Sequence, residues 1–207
     1  MSSKPWEVHT SFCSAIDFDS GGLPTLIRNG YVNVNQAKVK GVDFEVSYRA
    51  EPDFFSGEDE SLTLRMLAGS ISERSDTPLG GTLRDVSGSL GSPDLTGNAT
   101  LSYSAGPYNF RLQQRYIADT LRDDRWVEGV DVDDNTVSSG NYTNMQVGYS
   151  GDTDDGGSWN VALNVTNVFN RPPPIVANYS TGGTAQSIPN GYDLYGRRYQ
   201  VSFGLNF

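Results

Sequence analysis

The residues best suited to chemistry in this sequence are carboxylates. Asp131, Asp133 and Asp134 with Asn135 form one cluster, and Asp152, Asp154 and Asp155 followed by Gly156 form another. Oxygen ligands at alternate positions are what Ca²⁺ requires, yet neither cluster carries the glutamate that closes an EF-hand loop. Both read as solvated acidic loops. The single histidine, His9, has no second imidazole with which to share a metal, and the single cysteine, Cys13, cannot form a disulfide within the chain. No nucleophile, base and acid come together in a recognisable motif, and neither a G-x-S-x-G turn nor a phosphate-cradling glycine loop occurs. The expectation is no enzymatic activity, no cofactor and no metal. Sequons at Asn98, Asn141, Asn164 and Asn178 fit N-glycosylation in form, but are more simply strand and loop asparagines.

Composition narrows the function classes. A net charge of −10 repels a phosphate backbone, so nucleic acid is not an expected partner. Only 36% of residues are hydrophobic, yet 11% are aromatic and glycine numbers 23, a blend that suits polar-lined sheets with turns better than a thick core. No apolar run approaches the roughly 20 residues of a spanning helix, and no signal-peptide core follows Met1. Either the chain is cytoplasmic or further residues precede it.

The elements that would position any site are strands. Period-2 alternation sorts seven candidates into two faces. The first sets Val42, Phe44, Val46 and Tyr48 against Asp43, Glu45, Ser47 and Arg49, with Gln36 to Lys40 continuing it upstream. The second, less clean, sets Leu62, Leu64, Met66 and Ala68 against Thr63, Arg65, Leu67 and Gly69. The third runs from Leu95 to Tyr103, the fourth from Tyr108 to Tyr116, the fifth from Asn144 to Tyr149 and the sixth from Trp159 to Thr166. The last places Tyr199, Val201, Phe203, Leu205 and Phe207 on one face. Such lengths, about 9 to 14 residues, can cross a bilayer when tilted.

The connections alternate between short (Ala50 to Glu60, Ser104 to Pro107, Ser150 to Ser158) and long (Ser72 to Asp94, Asp119 to Gly140, Arg171 to Leu194). Tyr48, Tyr103, Tyr108, Tyr149, Trp159 and Phe207 all fall at short-turn ends on the apolar face, as an interfacial belt would; Tyr116, Phe169 and Tyr199 could begin a second belt. The expected fold is all-β: an antiparallel meander of about seven long strands forming part of a transmembrane β-barrel wall, an incomplete barrel. A soluble secreted β-sandwich that binds a partner through its loops shares the alternation but predicts neither the loop asymmetry nor the belt. A passive porin is a further alternative.

Three stretches, Val39 to Arg49 (VKGVDFEVSYR), Asn164 to Pro174 (NVTNVFNRPPP) and Tyr192 to Phe207 (YDLYGRRYQVSFGLNF), resemble the C-terminal end of TonB-dependent outer-membrane receptors. The resemblance implies a Gram-negative outer-membrane location and uptake of a scarce nutrient such as a siderophore, cobalamin or glycan. It assigns residues 1–35 to an extracellular-loop segment and 36–207 to the C-terminal strands of the barrel. The implied partners are membrane lipid, the barrel assembly machinery that recognises the closing strand Tyr199, Val201, Phe203, Leu205 and Phe207, and a plug domain with the remaining strands. TonB would be contacted only through an N-terminal part. The chain then reads as a fragment of such a receptor. Ligand contacts are expected from the long loops, with Arg122, Arg125, Trp126, Tyr179 and Gln186 as candidates. Arg49, Arg65, Arg111, Arg115 and Arg198 fall on the polar face, where pairing with Asp43, Glu45 and plug acids is expected.

Overall fold

The structure is a computed structural model that describes residues 15–28, 36–55, 59–77, 82–176 and 191–207. Its strands, in chain order, are β1 (Ile16–Phe18), β2 (Pro24–Ile27), β3 (Gln36–Ala50), β4 (Glu60–Thr77), β5 (Arg84–Asp85) and β6 (Leu95–Ala105). They continue with β7 (Tyr108–Ile117), β8 (Thr120–Leu121), β9 (Thr136–Val137), β10 (Gly140–Asp152), β11 (Ser158–Thr166) and β12 (Arg198–Asn206). The described residues contain no helix. They divide into two compact units, Met1–Lys38 with Ser75–Asp85, and Val39–Arg74 with Val86–Phe207.

In the first unit, β1 and β2 form a hairpin, Ile16 opposite Ile27 and Asp17 opposite Leu26. Its turn is wound around Asp19, whose carboxylate accepts the N–H groups of Gly21 at 2.8 Å and Leu23 at 2.9 Å. Asp17 pairs with Arg28 across the hairpin. Ser75 and Asp76 pair with Asp85 and Arg84.

The second unit holds the main sheet, a seven-strand antiparallel meander in the order β3-β4-β6-β7-β10-β11-β12, not closed into a barrel. Cross-strand partners lie on the same face, so the register converts alternation into continuous rows. One row reads Leu64, Leu101, Leu112, Met145, Val165, Tyr199; the next reads Leu62, Tyr103, Phe110, Val147, Leu163, Val201. The opposite face carries Thr63, Ser102, Arg111, Gln146, Asn164 and Gln200 in register. All seven strands expected from alternation are present, so the sheet is the one the sequence predicts.

The apolar face is open: Val42 and Val201 are each 71% exposed, and Phe203 66%. Covering a Val, Leu or Phe side chain contributes about 1.5–3 kcal/mol. Rows of them left bare represent tens of kcal/mol that only an apolar surrounding can supply. A β-sandwich would lay a second sheet over these rows. The described residues instead form this one large sheet and the two-stranded ribbons β1-β2 and β8-β9, which removes the sandwich reading.

Short-turn ends carry the expected aromatics in contact. Tyr108 and Tyr149 sit edge to face at 5.0 Å, Tyr149 meets Trp159 at 5.5 Å, and Tyr103 meets Phe54 at 6.1 Å. Glu60 closes the β3–β4 connection by accepting the Phe55 N–H at 2.5 Å and the Tyr103 hydroxyl at 2.6 Å. At the other end β4 runs well past the expected Gly69, to Thr77. That extension is polar and shows no alternation. Backbone bonds hold it, Ile71 N–H to Asp94 O and Val86 N–H to Arg74 O, both 2.8 Å, with an ion pair between Glu73 and Lys40 at 2.8 Å.

Candidate functional site

On the polar face a ladder of side-chain amides crosses the sheet. Gln113 of β7 donates to Asn98 of β6 at 3.4 Å and accepts from Asn144 of β10 at 3.1 Å. Asn144 in turn accepts the N–H of Asn167 at 3.0 Å, just past β11. Arg115, in register between Asn98 and Tyr142, lies 5.1 Å over the Tyr142 ring. Asn98, Gln113, Arg115, Tyr142, Asn144, Asp193 and Arg198 line a cleft of about 410 Å³ roofed by Tyr192 and Tyr195. Guanidinium donors, amides and phenol rings, with the Asp193 carboxylate facing Arg198, suit a polar, oxygen-rich ligand.

The roof is built by the two stretches that flank the last long loop. Asn167 and Asn170 adopt left-handed backbone conformations, φ 51° and 50°, which asparagine tolerates better than most residues. Asn167 is 1% exposed. Its side chain donates to Arg171 O and to the Asp193 carboxylate, both at 2.9 Å, and accepts the Arg171 N–H at 2.8 Å. Asn170 accepts the Arg197 N–H at 3.0 Å. Asp193 also receives the Tyr195 N–H at 3.1 Å and faces Arg198 at 3.5 Å. The NVFN and YDLYGRR segments thus form one knot that joins the end of β11 to the start of β12.

Behind the knot lies the apolar cluster of the second unit. Val137, Tyr142, Val176 and Tyr192 are buried together, with Leu90 and Ile117 against them. Since Tyr142 pairs with Arg115 and Ile117 with Gly140 and Thr96, this cluster sits on the polar face at its long-loop end. Burial, with Tyr142 and Asp119 nearby, pushes the Tyr192 phenol above its ordinary pKa. Tyr142 is missing from the strand expected from alternation because that strand starts at Asn144, four residues after the observed start at Gly140; a start at Gly140 sets Tyr142 on the Asn144 face.

The loop candidates have a different setting. Arg122 stacks on Trp126 at 4.6 Å, and Arg125 grips Asp123 bidentately at 2.7 and 2.9 Å, which raises the guanidinium pKa further. Asn135, 2% exposed, ties this loop: it donates to Asp123 O at 2.8 Å and to Trp126 O at 3.2 Å. Asp131 and Asp134 cap the N–H groups of Val127 and Thr136 at 2.8 and 2.7 Å. No three acidic, histidine or cysteine side chains converge on a metal position among the described residues. Arg122 lines a cleft of about 490 Å³ with Asp131, Asp133, Ile175 and Val176. The three described candidates therefore share a loop but not the polar-face cleft. Tyr179 and Gln186 lie outside the described residues, as do His9, Cys13 and Asn178.

The first resembling stretch has its own geometry. A Cβ on Gly41 would stand 2.5 Å from Ser70 O, so only glycine lets β3 and β4 approach there. Two residues on, Asp43 lies against Gly69, and Glu45 pairs with Arg65 at 2.8 Å. On β12, Tyr199, Val201, Phe203 and Leu205 are exposed on the outer face, Phe207 is exposed just past the strand's end at Asn206, and β11 is this strand's one neighbour among the described residues.

A meander of long strands with a bare aliphatic face, a hydrogen-bonded polar face and short connections at one end is a wall segment of a β-barrel. A family profile described as TonB dependent receptor-like, beta-barrel matches residues 10–168 of the 207. The chain belongs to this family, whose members are typically transporters rather than enzymes and typically reside in the Gram-negative outer membrane. Searches among curated proteins and among solved structures return no match.

Proposed function

We propose that the chain forms C-terminal wall and loops of an outer-membrane receptor for a scarce nutrient, of siderophore, cobalamin or glycan type. The observation that carries this is the pairing of opposite faces: a bare apolar face for lipid, and behind it an ordered cleft of Arg115, Tyr142, Gln113 and Arg198 under a loop roof. Residues 36–207 supply strands and residues 1–35 an extracellular loop. A plug domain, the remaining strands and TonB coupling come from other parts of the protein. Arg122, Arg125, Trp126, Tyr179 and Gln186 offer first contacts at the loops, and the polar-face cleft is the second station. The closing strand Tyr199, Val201, Phe203, Leu205 and Phe207 is the segment offered to the assembly machinery.

Deleting the gene and comparing growth on ferric siderophore as the iron source, on limiting cobalamin and on an oligosaccharide as the carbon source tests the reading. Loss of growth in one condition, restored by the intact gene but not by Arg115→Ala, is expected. Normal growth in all three overturns nutrient uptake. A chain that is monodisperse in buffer without detergent overturns the lipid-facing assignment of Val42, Phe44, Leu101, Val161 and Phe203.

A further inference from the structure

The outer face is not apolar throughout. Above the Leu112–Met145 pair the next positions on the same face are Gln114 and Thr143, then Tyr116 and Asn141. Gln114 donates to Asn141 and accepts the Thr143 hydroxyl at 2.5 Å, so these polar groups form one network on the side that otherwise faces lipid. They floor a cleft of about 740 Å³ whose rim is Tyr116, Phe169, Arg171 and Pro172. In a chain of net charge −10, no described residue lining this cleft is acidic. Arg171 is exposed, and its guanidinium has no hydrogen-bond or ion-pair partner among the described residues. A second guanidinium, Arg197, reaches the same edge, donating to Val168 O at 3.3 Å and lying 6.0 Å from the Tyr199 ring.

We propose that this cleft is a headgroup site for a membrane lipid whose phosphate gives it a net negative charge. Arg171 supplies the charge-assisted contact to a phosphate oxygen, the Tyr116 hydroxyl and the Asn141 amide offer further donors, and Arg197 adds positive potential from the side. Below it, the partly exposed Leu112 and Met145 and the exposed Val147 provide the apolar surface along which acyl chains lie. Polar groups stacked on an apolar strip match an amphipathic occupant, which free phosphate is not, and a guanidinium in a cleft lined by no described acidic residue favours a headgroup of net negative charge over a zwitterionic one. The site is on the face opposite the proposed nutrient cleft, so it depends on the lipid-facing assignment but not on the nutrient.

The full chain, purified in neutral detergent, is mixed with equal amounts of phosphatidic acid and phosphatidylcholine and examined by native mass spectrometry. Phosphatidic acid should be retained roughly tenfold over phosphatidylcholine, about 1.4 kcal/mol, because the choline cation offsets the phosphate charge that Arg171 meets. Arg171→Gln should bring the ratio near parity, Arg171→Lys should keep most of it, and Tyr116→Phe should lower it in part. Arg28→Gln, which removes a guanidinium from the β1–β2 hairpin, should leave it unchanged. Equal retention by the native chain, or an unaltered preference in Arg171→Gln, overturns the site. Displacement of the lipid by inorganic phosphate with saturable phosphate binding would overturn the lipid assignment in favour of a soluble anion. Retention of neither lipid would overturn the lipid-facing reading of the whole face as well.

Discussion

Replacing Asn167 by alanine should unlock the knot between the last two strands. The side chain makes two neutral hydrogen bonds with Arg171, each worth about 1 kcal/mol, and one to the Asp193 carboxylate, worth about 1.5–3 kcal/mol. Alanine also holds the left-handed conformation less well, by about 1 kcal/mol. The local loss is therefore about 4.5–6 kcal/mol, enough to speed amide exchange more than about a thousandfold wherever opening of the knot is the route. The reporters are the Val168 and Arg197 amides, which bond to Thr143 O and to the Asn170 side chain and touch no atom removed by the substitution. Hydrogen exchange on the micelle-bound chain measures them, with strand amides such as Val147 as internal reference. Asn167→Gly should recover about 1 kcal/mol by relieving the backbone alone. In an Asp193→Ala background, Asn167→Ala should cost less than it does alone, since one partner is already gone. Exchange at Val168 and Arg197 that changes by less than about tenfold would refute the assignment of Asn167 as the tie, because the three bonds would then be dispensable.

Three further outcomes follow from the same geometry. Gly41→Ala should destabilise the β3–β4 pair by about 1–3 kcal/mol, read by chemical unfolding in micelles, because the added carbon meets a backbone carbonyl that cannot rotate away. The raised Tyr192 pKa means that, above its ordinary value near 10, the unfolded chain loses this proton before the folded one does. Stability should be flat below that pH and fall as pH rises through the folded value, and Tyr192→Phe should flatten the fall; an identical slope in the variant would contradict the burial of Tyr192. In single-tryptophan variants, lipids brominated in the acyl chain should quench Trp159, on the outer aromatic belt, and leave Trp126, stacked under Arg122 in its loop, unquenched. Equal quenching of the two would remove the belt.

Period-2 alternation made the sheet readable because one face of each strand meets an apolar surrounding and the other a polar one, so Tyr108 to Tyr116 and Trp159 to Thr166 declare themselves. Where that difference ends the signal ends too. Ile71 to Thr77 continues β4 on backbone bonds alone, and β5, β8 and β9, with two residues each, are too short for any period. The knot was illegible for another reason: Asn167 and Asp193 stand 26 residues apart and meet through a polar contact that no periodicity encodes. The NVFN and YDLYGRR stretches were visible as a family likeness, and the structure supplies their physical cause, two left-handed asparagines receiving the returning chain. Charge and aromaticity single out Arg125, yet its guanidinium is spent on Asp123, while Tyr142, which meets the polar-face Arg115, looks ordinary in sequence.

The location of the buried apolar residues also orders cause and effect in the candidate site. In a water-soluble sheet the aliphatic face would be the core, but here Leu64, Leu101, Leu112 and Val147 belong to the outer rows, and the buried cluster of Val137, Tyr142, Val176 and Tyr192 lies on the polar side under the loops. The amide ladder of Asn98, Gln113 and Asn144 is continued by Asn167, which is itself held by Asp193. Disrupting the loop cluster would therefore loosen the ladder from its upper end while leaving the strand register, fixed by backbone pairing, in place. A ligand that presses on Tyr192 or Tyr195 acts on the same joint. The wall is rigid through its hydrogen-bonded strands, and the polar cleft takes its shape from the loops, so changes in ligand preference should map to the segments around Val137, Val176 and Tyr192 rather than to the strands that carry Arg115 and Gln113.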